Sequence, residues 1–229
     1  RHVTLFTPSN IDEPVAIHPV PWLLSRAHAV ELQAISLRLR DAITTVLSQY
    51  LSDPALQQVL PLDPDERAWL VDVAPQGPPM PIPIFERLDT NLILERRDGL
   101  RTFQVLEWNS VGVGCLHFLP MANQLVAEHV LPTLRPAAKG CPIELSADPR
   151  HLLMHTLRRH AQAIQRPCAV TAFVERRETP VGGSDELLFV SQYLQQQGLP
   201  TVVADPRELE WRRGEIMYKD IVVDLVCFR

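Results

Sequence analysis

The feature that most constrains this chain is the stretch from Ile84 to Gly114, which alternates polar and apolar residues around the dipeptide Asp98-Gly99. Alternation on both sides of an Asp-Gly turn predicts two long antiparallel strands joined by a tight turn. Polar side chains recur at a spacing of two, which places each pair on one face of its strand. The pairs are Arg87 with Asp89 and Glu107 with Asn109. Paired polar residues in an otherwise apolar hairpin need an explanation.

The length of the turn decides which of these residues meet across the hairpin. A two-residue turn at Asp98-Gly99 places Asp89 and Glu107 on opposite faces, because cross-strand partners share a face. A three-residue loop that ends in the same glycine places Asp89 beside Glu107 and Arg87 beside Asn109. Both turns suit this sequence. We predict the three-residue loop, because only that register assembles a site.

The four side chains have the chemistry of a magnesium and phosphate site. Magnesium prefers hard oxygen ligands, which the carboxylates of Asp89 and Glu107 and the amide of Asn109 provide. The Arg87 guanidinium can bind phosphoryl oxygens and stabilise developing negative charge. The alternative is structural, because a half-exposed hairpin alternates polar and apolar residues in any case, and a surface ion pair contributes little stability.

The composition is that of an ordinary globular protein: 46% of residues are hydrophobic, 21% are charged, and the net charge is −5. The acidic balance and the lack of basic runs argue against nucleic acid as a partner. The sequence shows neither a bilayer-length apolar run nor a signal-peptide pattern, so we expect no membrane partner and a cytoplasmic location. The four scattered cysteines predict reduced thiols, and we expect Cys115 to be a small buried residue rather than a nucleophile.

Helical periodicity and capping signals predict most of the other elements before residue 166. One long helix or two abutting helices are expected over Trp22–Leu51. Further helices are predicted after Ser52-Asp53-Pro54, from Asp63 to about Val73, from about Leu116 to Leu134 with a break at Pro132, and over Pro149–Gln165. His151 and His155 lie four apart, as in some zinc sites, but the pattern lacks a third ligand and favours surface histidines.

Residues 166–229 have a different pattern. Strands at Cys168–Glu175 and Thr201–Ala204 flank a helix at Ser184–Gln197, which predicts a parallel βαβ unit. Two short strands around Arg212-Arg213-Gly214 and a closing apolar strand at Ile221–Cys227 complete the region. The loop Gly182-Gly183-Ser184 could hold a phosphate at the helix N-terminus, although a plain loop with Ser184 as the N-cap is the favoured interpretation.

The expected fold class is therefore α/β, with α+β character in the first part. Residues 1–165 are predicted to form a helical and hairpin region, and residues 166–229 a small parallel βαβ region. The chain begins without a methionine and stops at Arg229 directly after a strand-like run. We therefore expect an N-terminal fragment of a longer protein, with the second region truncated at its C-terminus. The sequence does not indicate an oligomeric state.

The hairpin motifs resemble those of the circularly permuted ATP-grasp family, which includes glutathionylspermidine synthetase and eukaryotic-type glutathione synthetase. Arg87-Leu-Asp89 is similar to the R-x-D on one strand of that family. Glu107-Trp-Asn109 is similar to the E-x-N on the next strand, which a small-residue loop follows. The C-terminal region, from Ser184-Asp-Glu186 through Ala204-Asp205-Pro206 to Val223-Asp224, is similar to a second stretch of the family.

The resemblance implies a ligase that activates a carboxylate as an acylphosphate and joins it to an amine, releasing ADP and phosphate. It implies Mg²⁺ and ATP as cofactors, small-molecule carboxylate and amine substrates, and a pre-ATP-grasp-like region at 166–229. It also implies that Glu107 and Asn109 hold magnesium with help from Asp89, that Arg87 stabilises the transferring phosphoryl group, and that Ser110, Gly112 and Gly114 border the acceptor carboxylate.

The nucleotide site is the part that the resemblance leaves incomplete. In these families the lysines that grasp the nucleotide, and a further acidic magnesium ligand, lie downstream of the segment seen here. The chain has two lysines, Lys139 and Lys219, and neither lies in a recognisable nucleotide-binding strand. The alternative function is therefore a non-catalytic ligand-binding or assembly module that retains the same scaffold.

Overall fold

The computed structural model describes residues 4–6, 12–14, 21–73, 85–95, 99–110, 112–177 and 185–228. The chain divides into two compact units. Unit 1 comprises Arg1–Trp22, Pro83–Arg87 and Trp108–Arg229, and unit 2 comprises Leu23–Ile82 and Leu88–Glu107. The predicted boundary near residue 165 lies inside unit 1, and a division into domains there stays a prediction. Helices, an antiparallel hairpin and a three-stranded parallel sheet confirm the α/β class.

Capping residues set the starts of the helices in unit 2. Helix α1 is one continuous helix, Arg26–Gln49, and the Ser25 side chain caps it by accepting a hydrogen bond from a first-turn N–H. Helix α2, Pro54–Val59, follows Asp53, whose carboxylate accepts from two N–H groups of the first turn. Helix α3 spans Pro64–Val73. The predicted helices are confirmed here. No helix within the described ranges is both long and apolar enough to cross a membrane.

Strands from the first half of the chain form two separate pairs. Strands β1, Thr4–Phe6, and β2, Asp12–Pro14, pair in antiparallel fashion. Strands β3, Arg87–Glu95, and β4, Gly99–Asn109, pair with each other and form the hairpin that the alternating pattern predicts. Residues 96–98 of its turn lie outside the described residues. The three-residue loop and the register that it implies therefore stay predictions.

The helical segment after the second hairpin contains a π-helical turn. It consists of α4, Phe118–Leu125, a π-helical turn, Val126–Val130, and α5, Leu131–Leu134. The predicted break at Pro132 is wrong, because the helix continues from the π-helical turn through Pro132 to Leu134. The departure from α-helical pitch falls one turn earlier, in the π-helical turn.

Unit 1 is built on a three-stranded parallel sheet in the order β10-β5-β6. Its strands are β5, Thr171–Val174, β6, Thr201–Ala204, and β10, Leu225–Phe228, and helix α7, Asp185–Gln196, follows β5 and precedes β6. The predicted parallel βαβ unit is therefore confirmed. Gly198, with a φ of +80°, ends α7 in the left-handed conformation that favours glycine. The predicted loop at Gly182-Gly183-Ser184 lies outside the described residues.

One face of the parallel sheet packs against helices. Helix α6, Pro149–Ala163, begins after Asp148, whose carboxylate accepts a hydrogen bond from the Arg150 N–H at 2.9 Å, and this confirms the predicted start. Phe173 of β5 lies in a buried cluster with residues of α6 and α7. The other members of that cluster are Leu116, Leu153, Leu157, Leu187, Val190 and Leu194.

The opposite face of the parallel sheet is covered by a small antiparallel sheet in the order β7-β8-β9. Its strands are β7, Leu209–Arg212, β8, Glu215–Tyr218, and β9, Ile221–Val223. Ala172 and Val174 of β5 share a second buried cluster with Val223 of β9. The parallel strands are thus covered on both faces, as is usual for such sheets.

The predicted single strand over Ile221–Cys227 is wrong, because the chain changes sheets at Asp224. Strand β9 ends one residue before Asp224, and β10 begins one residue after it. The Asp224 carboxylate accepts a hydrogen bond from the Val170 N–H at 2.8 Å and pairs with Arg166. The Asp224 N–H in turn donates to the Val170 carbonyl at 2.9 Å. These bonds hold the chain at the start of β5, where it turns from one sheet into the other.

Replacing Asp224 with alanine should lower the free energy of unfolding by about 1–2 kcal/mol, because the N–H of the half-buried Val170 loses its carboxylate partner. The lost ion pair adds less, since the Arg166 side chain is half-exposed. Urea unfolding followed by circular dichroism measures the change. Asp220→Ala, in the exposed turn before β9, is the control and should change stability by less than about 0.5 kcal/mol. Equal losses at the two positions would contradict the role of Asp224.

Candidate functional site

The hairpin places the predicted magnesium ligands on neighbouring strands. Arg87 and Asp89 lie in β3 and are half-buried, whereas in β4 Glu107 is exposed and Asn109 is half-buried. Each pair lies on one face of its own strand, because its members are two residues apart. Two carboxylates and an amide are hard oxygen donors, so the donor set fits magnesium. The roles of these residues as ligands, and the role of Arg87, stay predictions.

The loop after β4 is anchored at the carboxyl edge of the parallel sheet. The Gly112 N–H donates a hydrogen bond to the carbonyl of Phe228, the last residue of β10, at 3.3 Å. Gly112 has a φ of +71°, a conformation that glycine adopts without steric cost. Ser110 is exposed, and Gly114 is half-buried. Ligands of open α/β sheets commonly bind outside the carboxyl ends of the strands. Gly112 therefore lies where such a fold offers a binding crevice.

A buried carboxylate that the sequence analysis did not identify as a site residue holds the same loop. Glu186, in the first turn of α7, is 2% exposed, and its Oε1 accepts a hydrogen bond from the His117 N–H at 3.2 Å. The His117 ring stacks on Phe189 of α7, with the ring centroids 4.6 Å apart. Burying a carboxylate is costly unless it is hydrogen-bonded, so this contact ties the loop to α7. The motif Ser184-Asp-Glu186 was visible in the sequence, but the burial of Glu186 was not.

The surroundings of His117 lower the pKa of its imidazole. Burial lowers the pKa of His117, and the positive charge of Arg150 lowers it further, while Asp148 acts in the opposite direction. Arg150 pairs with Asp148 at 2.6 Å and lies over the Tyr193 ring, 4.0 Å from its centroid. Among the residues that the structure describes, none bonds to the buried Nδ1 atom of His117. We therefore interpret His117 as a packing group of the loop.

At the same carboxyl edge, Asp205 joins the ends of β5 and β6. It directly follows β6 and is 3% exposed. Its carboxylate accepts hydrogen bonds from the Arg177 N–H at 2.8 Å, from the Arg207 N–H at 2.9 Å and from the Arg207 guanidinium at 2.7 Å. The same guanidinium donates to the Arg177 carbonyl at 2.6 Å. Glu208 accepts from the Asp205 N–H at 2.8 Å and completes a capping box.

These donors hold the pKa of the Asp205 carboxyl well below its usual range. The Arg207 side chain has the largest effect, and the backbone N–H groups of Arg177 and Arg207 follow. Both carboxylate oxygens already accept hydrogen bonds from the protein. Asp205 therefore has a structural role: it links the segments that follow β5 and β6 at the carboxyl edge of the sheet.

Two cysteines lie next to residues of the candidate site: Cys115 directly follows Gly114, and Cys227 directly precedes Phe228. The prediction that Cys115 is buried is wrong: it is exposed, with a φ of +68°, and the next residue, Leu116, is buried instead. The left-handed backbone at Cys115 lets Leu116 enter the core while Cys115 stays outside. Cys227 lies in β10, and burial raises the pKa of its thiol. A raised thiol pKa is the opposite of what a cysteine nucleophile needs.

The histidines of α6 were considered as zinc ligands, and the two lysines as nucleotide-binding residues. His151 and His155 are exposed, as predicted. In the described part of the chain, no group of three or more His, Cys, Asp or Glu side chains is placed to hold a metal ion. Lys139 and Lys219 both have positive φ and lie outside the strands, in turns. Neither lysine therefore lies in a strand where it could hold a nucleotide.

No family model matches the sequence, and no curated protein matches it. Among solved structures, the chain is similar to a glutathione synthetase-like effector from Globodera pallida in its apo form. The sequence identity is 13%, the TM-score is 0.41, and the alignment covers 62% of this chain and 35% of that protein. The chain thus spans about a third of the effector's length. The similarity assigns neither an activity nor a residue role to this chain.

Proposed function

We propose that this chain contributes the magnesium-binding hairpin and the acceptor loop of an ATP-dependent carboxylate–amine ligase that acts through an acylphosphate. The observation that supports the proposal is the pairing of β3 with β4. That pairing brings the Arg87-x-Asp89 and Glu107-x-Asn109 motifs onto neighbouring strands, as the resemblance to the circularly permuted ATP-grasp enzymes requires.

Each residue of the proposed site has one task. Asp89, Glu107 and Asn109 hold Mg²⁺, which when bound neutralises charge on phosphoryl oxygens. Arg87 orients and stabilises the transferred phosphoryl group through its guanidinium. Ser110, Gly112 and Gly114 border the small-molecule acceptor carboxylate, whose acylphosphate the amine substrate then attacks. ATP is the implied phosphoryl donor.

The anchoring of the acceptor loop supports this assignment. Gly112 and His117 are each tied by a backbone N–H to a different element of unit 1, to Phe228 in one case and to Glu186 in the other. A loop that is held at both ends loses less conformational entropy when it binds a ligand. Such a loop is suited to presenting backbone and hydroxyl groups to a small carboxylate.

Binding of Mn²⁺, used as a paramagnetic substitute for magnesium, tests the metal site directly. We expect the chain to bind Mn²⁺, and the double variant Glu107→Gln with Asn109→Ala to raise the dissociation constant at least about tenfold, because two oxygen ligands are weakened or lost. Electron paramagnetic resonance titration measures free Mn²⁺. Glu144→Gln, which removes a carboxylate from an exposed loop, is the control. Equal affinities of the wild type and the double variant would remove both residues from the site.

Calorimetric titration with Mg-ATP separates the ligase from the alternative, a non-catalytic binding or assembly module. The position of both lysines in turns favours the alternative for the chain taken alone. The ligase predicts heat of Mg-ATP binding that the double variant abolishes, whereas the module predicts none. Retained Mn²⁺ binding without any Mg-ATP heat would support the module.

A further inference from the structure

Helix α6 lacks acidic residues, although the chain as a whole has a net charge of −5. Between Pro149 and Ala163 it has three arginines and three histidines and no acidic residue. Its exposed residues recur at helical spacings of three and four, so they form one face. We call this surface the basic face; it consists of His151, Leu152, His155, Arg158, Arg159 and Gln162.

Packing determines which side of α6 faces the solvent. Leu153, Leu157 and Ala161 are buried, and they lie on the side of the helix opposite to the basic face. The basic face extends over about three helical turns, or roughly 17 Å, at 1.5 Å per residue. Because the buried side belongs to the main core of unit 1, the orientation of this face is set by the fold rather than by its own charges.

The two arginines of the basic face keep their charge available. Arg158 donates to the Gln197 carbonyl at 3.3 Å, a neutral acceptor that leaves its positive charge uncompensated. In the described part of the chain, neither Arg158 nor Arg159 forms an ion pair with a carboxylate. Arg150, outside the basic face, is by contrast paired with Asp148 at 2.6 Å.

We propose that the basic face docks an acidic, amphipathic polypeptide segment of a partner protein. Complementary charge orients such a segment on the two arginines. Leu152 is 59% exposed within the same face, and it offers an apolar contact that a helical partner can meet with its own apolar residue. The face thus combines the charge and the apolar surface that an acidic amphipathic helix can match.

A nucleic acid fits the same face less well. Proteins that bind duplex DNA through its backbone commonly neutralise about 6–10 phosphates, whereas this face provides two arginines. An exposed leucine gains nothing against a phosphate backbone, whereas an amphipathic helix can cover it with an apolar residue. The observations therefore favour the acidic polypeptide.

Fluorescence anisotropy with the full chain tests the proposal. The probe is a labelled helical peptide of glutamate and leucine, about 16 residues long, enough for roughly four turns. We expect it to bind, and Arg159→Glu to raise its dissociation constant at least about tenfold by placing like charges together. Arg159→Gln, which removes the charge without reversing it, should have a smaller effect. Circular dichroism melting of each variant verifies that it is folded.

Arg38→Glu is the matched control, because Arg38 is an exposed arginine of α1 and the change in net charge is identical. It should leave the dissociation constant within about twofold. The proposal is overturned by absence of peptide binding, or by equal weakening from Arg38→Glu and Arg159→Glu, which would reflect net charge alone. Equal or tighter binding of a single-stranded DNA of the same length, sensitive to Arg159→Glu, would replace the polypeptide with a nucleic acid.

Discussion

Replacing Asp205 with asparagine is expected to lower the melting temperature at pH 7 by about 5 °C or more. The carboxylate accepts hydrogen bonds from the Arg177 N–H and from both the backbone and the guanidinium of Arg207. Asparagine has only one acceptor oxygen. Its NH₂ group would therefore face hydrogen-bond donors at the position where the second carboxylate oxygen of Asp205 accepts. Charge-assisted bonds are about twice as strong as neutral ones, and the substitution loses this contribution as well.

The effect of this substitution should depend on pH in a defined direction. The donors around Asp205 lower the pKa of its carboxyl in the folded state. A lowered folded pKa stabilises the protein above the unfolded value, near pH 4, and this stabilisation is lost as the pH falls toward the folded pKa. The difference in melting temperature between the wild type and Asp205→Asn should therefore be full at pH 7 and shrink below about pH 4.

Differential scanning calorimetry at pH 7 and at about pH 3 measures both effects. Asp220→Asn, which changes an exposed aspartate in the turn before β9, should leave the melting temperature within about 1 °C of the wild type. If the difference in melting temperature between the wild type and Asp205→Asn does not shrink on acidification, the substitution acts through packing rather than through the charge of the carboxylate.

Replacing Glu186 with alanine is the second change for which we expect a large effect. It leaves the N–H of the half-buried His117 without its acceptor, and losing the partner of a donor shielded from water costs about 1–3 kcal/mol. Amide hydrogen exchange at His117 should become about 5- to 150-fold faster, the rate ratio that corresponds to this free energy. Exchange measured by NMR reports on the loop itself. Global melting separates loosening of the loop from unfolding of the protein.

Glu186→Gln is the matched variant, because glutamine keeps a carbonyl oxygen where Oε1 accepts the hydrogen bond. It should retain most of the protection of the His117 N–H, whereas Glu186→Ala should lose it. Unchanged exchange in the alanine variant would show that the loop from Gly112 to His117 is held by other contacts, such as the stacking on Phe189. It would also weaken the case for an acceptor loop held at both ends.

The elements that sequence predicted well are those with local causes. Asp53 and Asp148 each precede a proline, and each caps the helix that begins there. Gly198 ends α7 because a left-handed residue is needed at that point. The hairpin follows from alternation around Asp98-Gly99. In all of these cases, the atoms that decide the outcome lie within a few residues of one another.

The errors have a common physical cause. The apolar run over Ile221–Cys227 has the pattern of one strand, but a carboxylate at Asp224 binds Val170, 54 residues earlier, and the chain turns there. Cys115 was expected inside and is exposed, because the neighbouring Leu116 occupies the core position. Periodicity predicts which residues share a face of a helix or strand. It does not show which of two neighbouring residues is buried in the core.

In the candidate site, too, some features have local causes and others depend on contacts between distant parts of the chain. The sequence by itself determined the four polar residues of the hairpin, their spacing and their suitability for magnesium, since these depend on residue type and strand geometry alone. Only the tertiary structure decided that the loop after the hairpin bonds to Phe228 and that Glu186 is buried against His117, 69 residues away. Such contacts depend on how distant elements pack, and packing is a property of the whole core that no local pattern encodes.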